Sequence, residues 1–84
     1  DVKAISPEVY PNPVYNELRI EWSSQTDIHE TYQFILYDVP GKIILKQNIS
    51  GSSVIDVSKL NKGLYILELK KEDKNLMRKM IIKE

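Results

Sequence analysis

The amino-acid sequence predicts an all-β protein, an immunoglobulin-like antiparallel β-sandwich of about seven strands. Three observations support this fold class. Apolar residues recur mostly at every second position, turn residues return about every 8–12 positions, and no segment has the ~3.6-residue period of a helix. With 84 residues, the chain has the length of one small domain. We therefore expect two sheets packed around a single core.

Seven segments carry the strand pattern. In chain order they are residues 9–10, 17–22, 32–37, 42–49, 54–57, 64–69 and 76–83. The second segment alternates strictly between charged and apolar residues, which predicts that Leu18, Ile20 and Trp22 share one buried face. The third is apolar on both faces, as expected of a central strand that is covered on each side.

Turn residues separate these segments. Residues 38–41 read Asp-Val-Pro-Gly, in which proline fixes φ and glycine permits a left-handed turn. The charged segment 72–75 is expected to form the last turn. Residues 60–65 resemble a tyrosine corner, in which the Tyr65 hydroxyl would reach back to the backbone a few residues upstream. Tyr65 would then share a buried face with Leu67 and Leu69.

The composition excludes several classes of functional site. The chain has no cysteine and therefore no disulfide, iron–sulfur cluster or thiolate zinc site. The single histidine, His29, lies in the polar segment 25–30, away from any pattern of catalytic partners. The aspartates do not follow a metal-binding spacing, and the isolated glycines are typical of turns. We expect no catalytic site, no metal and no cofactor.

Charge is balanced overall but not along the chain. There are 12 basic and 12 acidic residues, which does not favour nucleic-acid binding. Residues 1–38 carry two basic and seven acidic side chains, whereas residues 39–84 carry ten and five. The two halves could form a polarised surface, but we expect their strands to interleave and mix the charges. No stretch approaches the ~20 apolar residues of a membrane helix, and we expect no insertion into a membrane.

Four short motifs follow one another along nearly the whole chain. They are Tyr10-Pro11-Asn12-Pro13 with Leu18-Arg19-Ile20, the segment Tyr37-Asp38-Val39-Pro40-Gly41-Lys42, residues 55–65, and Arg78-Lys79-Met80-Ile81-Ile82-Lys83. Their order and spacing resemble the type A carboxy-terminal sorting domain of the type IX (Por) secretion system. Pro40, in the second motif, and Glu84, which follows the terminal lysine, depart from the family pattern.

The resemblance implies a non-catalytic address at the end of a larger exported protein of certain Gram-negative bacteria. In that family the domain directs an amino-terminal cargo from the periplasm across the outer membrane. A sortase-like cysteine peptidase then cleaves upstream and attaches the cargo to surface lipopolysaccharide. On this basis we expect residues 1–8 to end an interdomain linker and residues 9–84 to form the sorting domain.

The resemblance also suggests site residues. The last strand would lie at a sheet edge with Arg78, Lys79 and Lys83 pointing outward, where the translocation machinery could contact them. The alternative is that these basic residues only guard an edge strand against aggregation. The other residues that match the family motifs are interpreted as structural: Pro11, Asn12, Pro13, Asp38, Gly41, Lys42, Leu60, Gly63 and Tyr65.

Two functions of other classes remain open at this stage. A sandwich of this size could be an adhesive or carbohydrate-binding module, for which Tyr15 and Tyr32 are the candidate exposed aromatics. It could also be a structural spacer domain of a secreted enzyme. The first alternative requires exposed aromatic rings on one face or loop.

Overall fold

The structure is a computed structural model that describes residues 7–22 and 31–84. Its strands are β1 (Glu8–Tyr10), β2 (Glu17–Glu21), β3 (Tyr32–Asp38), β4 (Ile43–Ile49), β5 (Ser53–Asp56), β6 (Gly63–Lys71) and β7 (Lys74–Lys83). They form a three-stranded sheet in the order β1-β2-β5 and a four-stranded sheet in the order β4-β3-β6-β7. Every strand pairing is antiparallel, which confirms the predicted all-β sandwich.

The strand order follows the Greek-key connections of an immunoglobulin-like sandwich, because β2 pairs with β5 while β3, β6 and β7 lie together in the opposite sheet. The described ranges contain no helix, and hence none that could span a membrane. The predicted loop around His29 and most of the predicted linker lie outside the described residues.

The core lies between the two sheets. Its members are Val9, Val14, Leu18, Ile20, Tyr32, Phe34, Leu36, Ile49, Ile55, Val57, Tyr65, Leu67, Leu69 and Ile81. Leu18 and Ile20 are fully buried and Trp22 packs against the core cluster, as their alternation predicts. The indole Nε1 of Trp22 donates a hydrogen bond to the carbonyl of Gly51 at 3.0 Å, so its polar atom is satisfied at the core boundary.

The hairpin between β6 and β7 is longer than the sequence predicts. The expected turn at 72–75 contains only Glu72 and Asp73, and Lys71 already pairs with Lys74. Glu72 adopts a left-handed φ of 56°, which allows the tight reversal. Charged residues continue the ladder here because the end of this hairpin is exposed to solvent on its outer side.

The charges separate by sheet. Strands of the three-stranded sheet carry four acidic residues and one basic residue, a net charge of −3. Strands of the four-stranded sheet carry seven basic and two acidic residues, a net charge of +5. The strands of the two halves do interleave, because β5 joins β1 and β2 while β3 lies between β4 and β6. The expectation that this would mix the charges is wrong, because the acidic strands β1 and β2 stay together in one sheet and the basic strands β6 and β7 in the other.

Candidate recognition surface

The last strand, β7, lies at the end of the four-stranded sheet, as predicted. Its carboxy-terminal half, however, is covered by the segment that follows β1. Val14 donates its N–H to the carbonyl of Ile82 at 2.8 Å and accepts the N–H of Glu84 at 2.8 Å. Val14 thus forms an isolated parallel bridge with Lys83. This bridge covers part of the β7 edge that the sequence predicts to be exposed.

Asn12 extends the same closure with its side chain. Its Nδ2 donates to the carbonyl of Met80 at 2.9 Å, and its Oδ1 accepts the N–H of Ile82 at 2.9 Å. The carboxamide offers the donor and the acceptor of a peptide group, so it acts as one additional strand residue. Pro11 and Pro13 lack an N–H and leave this pairing to the asparagine between them. Both prolines follow cis peptide bonds.

Lys83 does not point outward, and the expectation that it would is wrong. Side chains alternate along β7, and Lys83 falls on the inner side with Ile81, where it is only 8% exposed. Its Nζ donates to the backbone carbonyl of Glu84 at 2.8 Å. The aliphatic stem is buried while the ammonium reaches a polar atom at the boundary.

Lys79 and Arg78 occupy opposite sides of β7. Lys79 lies on the inner side, half-buried, and its Nζ donates to the carbonyl of Val9 at 3.2 Å, which links β7 to β1 of the other sheet. Arg78 lies on the outer side with a side chain 65% exposed. Of the three predicted contact residues, Arg78 alone matches the expected outward position.

Arg78 is held by a carboxylate that sequence inspection misses. Glu68, its cross-strand partner on β6, is only 6% exposed, and its Oε2 lies 3.7 Å from the Nε of Arg78. The hydroxyl of Tyr37 donates to the Oε1 of Glu68 at 3.0 Å. Burial, the hydrogen bond to Glu68 and its negative charge raise the pKa of Tyr37 above its ordinary value. The isolated glutamate among apolar residues of β6 is the signal that could have identified this cluster.

The turn motif between β3 and β4 is built around one aspartate. The Oδ1 of Asp38 accepts the backbone N–H of Gly41 at 3.1 Å and that of Lys42 at 2.7 Å. Gly41 has a φ of +106°, a conformation that side chains with a Cβ rarely adopt. These residues therefore fix the reversal of the chain, and Pro40 and Val39 lie exposed at its tip.

The segment before β6 forms the predicted tyrosine corner. The Tyr65 hydroxyl donates to the carbonyl of Asn61 at 2.7 Å, and the ring is buried in the core. Leu60 packs against the core and donates its N–H to the carbonyl of Val57 at 3.1 Å. Gly63 starts β6 with a φ of +147°. At the start of the same segment, hydrogen bonds from Ser58 lower the pKa of Asp56.

Tyr15 and Tyr32, the two candidate aromatic residues, do not form an exposed binding surface together. Tyr32 is 5% exposed, and its ring centroid lies 4.7 Å from that of Trp22. Tyr15 is exposed and its hydroxyl donates to the Oε1 of Glu84 at 3.2 Å. Tyr32 is thus part of the core, which removes one of the two candidates for a carbohydrate-binding surface. Within residues 7–22 and 31–84, no three acidic or histidine side chains cluster as metal ligands do.

Comparison with known families agrees with this geometry. No curated protein matches the chain. The family profile described as "Secretion system C-terminal sorting domain" matches residues 8–83, which run from the first residue of β1 to the last residue of β7. The chain therefore belongs to the type IX secretion C-terminal sorting domains, the signals that send the protein carrying them to the cell surface or the exterior.

Proposed function

We propose that the type IX translocation machinery contacts this domain on the outer side of β7, with Arg78 as the basic contact. The observation that carries this proposal is the contrast among the three basic residues of the strand. The Arg78 side chain is 65% exposed beside Glu68, whereas Lys79 is half-buried, Lys83 is buried, and both donate to backbone carbonyls. An exposed guanidinium is well suited to a carboxylate on a partner surface. Lys79 instead links β7 to β1, and the Lys83 ammonium bonds only to the neighbouring carbonyl of Glu84.

In this proposal, the domain is a cleavable export signal without catalytic activity. The cargo crosses the periplasm, and a sortase-like peptidase then cleaves upstream of the sandwich and attaches the cargo to surface lipopolysaccharide. The start of β1 at Glu8 and the burial of Pro7 support a linker that ends just before Pro7, slightly earlier than residue 8. Cleavage in that linker would leave the folded sandwich intact.

The test is a reporter protein that carries residues 1–84 at its carboxy terminus, in a host whose type IX system exports its own cargo. We expect the parent fusion to reach the surface and Arg78→Gln to accumulate in the periplasm. The matched control is Arg19→Gln, which removes an exposed, ion-paired arginine from β2 in the opposite sheet. Arg19→Gln should leave the melting temperature nearly unchanged, because exposed ion pairs contribute only about 0–1 kcal/mol. Arg78→Gln should lower it, because the buried Glu68 carboxylate loses its cation, so melting curves must show that this variant is folded at the temperature of the export assay.

Different results would separate the parts of this proposal. Equal surface display of Arg78→Gln and the parent would assign recognition to another surface. If the sorting domain is still cleaved from the reporter in a host that lacks the sortase-like peptidase, the proposed cleavage step is contradicted. Lys83→Glu serves as a folding control, because a carboxylate at this buried position should lower the melting temperature and block export by misfolding.

A further inference from the structure

The outer face of the four-stranded sheet carries an apolar row, and none of the other strands in residues 7–22 and 31–84 covers it. One cross-strand row runs through all four strands as Ile43, Tyr37, Ile66 and Met80. Leu64 and Ile82 form a second pair directly beside it on β6 and β7. Ile43, Leu64, Met80 and Ile82 are each between 41% and 55% exposed. A continuous exposed apolar face of this kind marks an interaction surface.

Basic residues flank this apolar face. The next cross-strand row contains Lys46, Ile35, Glu68 and Arg78, and its carboxylate is already engaged by Tyr37 and Arg78. At the other end, Lys42 and Lys62 directly precede β4 and β6. Lys42, Lys46 and Lys62 make the surroundings of the face positive, because Glu68 balances the charge of Arg78 alone.

Charge decides between the possible occupants. A second copy stacked face to face would bring two positive sheets together, which is unfavourable. A lipid surface would attract the basic residues, but a flat face four strands wide lacks the deep apolar wedge or helix with which proteins insert at a membrane. A protein partner with an apolar centre and an acidic rim satisfies both features. The chain also enters the sandwich through β1 on the opposite sheet, which leaves this face across the sandwich from the attached cargo.

We propose that the face formed by Ile43, Tyr37, Leu64, Ile66, Met80 and Ile82 is the docking surface for an acidic-rimmed apolar site on a protein of the translocation machinery. This inference rests on the proposed function and extends the contact at Arg78 to a whole sheet face. It places the apolar side chains at the centre of the interface, and the arginine at its rim.

The experiment compares two double variants of the reporter fusion. Ile43→Thr with Met80→Thr changes exposed residues on the two edge strands of this sheet, so an effect is not confined to β7. The matched control, Tyr10→Thr with Val54→Thr, changes two exposed residues on the outer face of the opposite sheet. Threonine has the β-branched shape that strands favour, and melting curves of both purified variants verify folding.

We expect the first variant to reduce surface display about tenfold, the effect of losing about 1.4 kcal/mol of docking free energy. The control should remain close to the parent. Equal display of the first variant and the parent would overturn the docking face while leaving the sorting function intact. Retention of the parent itself, in a host that exports its own cargo, would overturn the proposed function and this inference together.

Two measurements on the purified domain test the other occupants. Sedimentation should give a monomer at all concentrations used, and the domain should not float with vesicles of phosphatidylethanolamine and phosphatidylglycerol. A dimer that Ile43→Thr with Met80→Thr dissociates would show that a second copy occupies the face. Vesicle binding that the same variant abolishes would assign the face to lipid. Either result would contradict the proposal.

Discussion

Two tyrosine hydroxyls stabilise the domain in different ways. That of Tyr65 donates to a backbone carbonyl, Asn61, and pins the crossing from one sheet to the other. That of Tyr37 donates to a buried carboxylate, Glu68, on the outer side of the four-stranded sheet. The first bond reaches a neutral backbone group, whereas the second reaches a side-chain carboxylate. Their contributions can therefore be distinguished experimentally.

Removing the Tyr65 hydroxyl should have a small effect and removing the ring a large one. Tyr65→Phe keeps the packing and is expected to cost about 1 kcal/mol of unfolding free energy. Tyr65→Ala truncates a buried aromatic side chain and should cost about 3–5 kcal/mol, enough to unfold most molecules of a domain this small. Urea unfolding followed by circular dichroism measures both. Melting curves of Tyr65→Ala that overlay the parent would contradict the tyrosine corner.

The Tyr37–Glu68 bond predicts a loss of stability at alkaline pH. Because the folded state raises the pKa of Tyr37, it favours the neutral phenol. This contribution is fully present below the ordinary pKa of about 10 and is lost as the pH rises through the higher folded value. The difference in unfolding free energy between the parent and Tyr37→Phe should therefore stay constant up to about pH 10 and then shrink. A difference that is independent of pH throughout would rule this out.

Among the elements, β7 is held from both sides. On one side it pairs with β6 along its length. On the other side, Asn12 and Val14 cover only its carboxy-terminal half. The Pro-Asn-Pro motif is thus a device that closes a sheet edge with a side chain, which reduces the length of strand available for unwanted pairing.

Asn12 variants test this closure directly. Asn12→Ala removes both hydrogen bonds to β7 and should cost about 1–2 kcal/mol, with faster hydrogen exchange at the Ile82 amide. Asn12→Asp keeps the acceptor but replaces the donor with an oxygen that faces the Met80 carbonyl, so it should also destabilise. Asn48→Ala, at an exposed position of β4, is the control and should change stability by about 0.5 kcal/mol or less. Unchanged exchange at Ile82 in Asn12→Ala would refute the closure.

At the scale of the whole molecule, the sequence predicts the architecture well because the sandwich depends on a period of two. Leu18 and Ile20, or Tyr65 and Leu67, share a buried face in any sheet whose strands alternate. The tyrosine corner is also local, since its hydrogen bond joins Tyr65 to Asn61. Local patterns of this kind are visible without knowledge of strand pairing.

Features that depend on which strands become neighbours are the ones that the sequence does not predict. Alternation alone does not reveal that Lys83 faces inward or that Asn12 lies beside Met80 and Ile82. The buried Glu68 likewise needs Tyr37 and Arg78 from two other strands. The separation of charge arises in the same way, because it depends on the sheet to which each strand belongs.

The contact between Asn12 and β7 has a consequence for synthesis. Its two partners lie 68 and 70 positions further along the chain, so the ribosome releases them long after Asn12 has emerged. A polypeptide that stops before Met80 therefore lacks the carboxy-terminal part of β7 and both backbone groups that Asn12 binds. Such a product cannot complete the sandwich, however well its cargo has folded. The folded sorting signal is therefore complete only when translation has continued through β7, and truncated products lack a complete export signal.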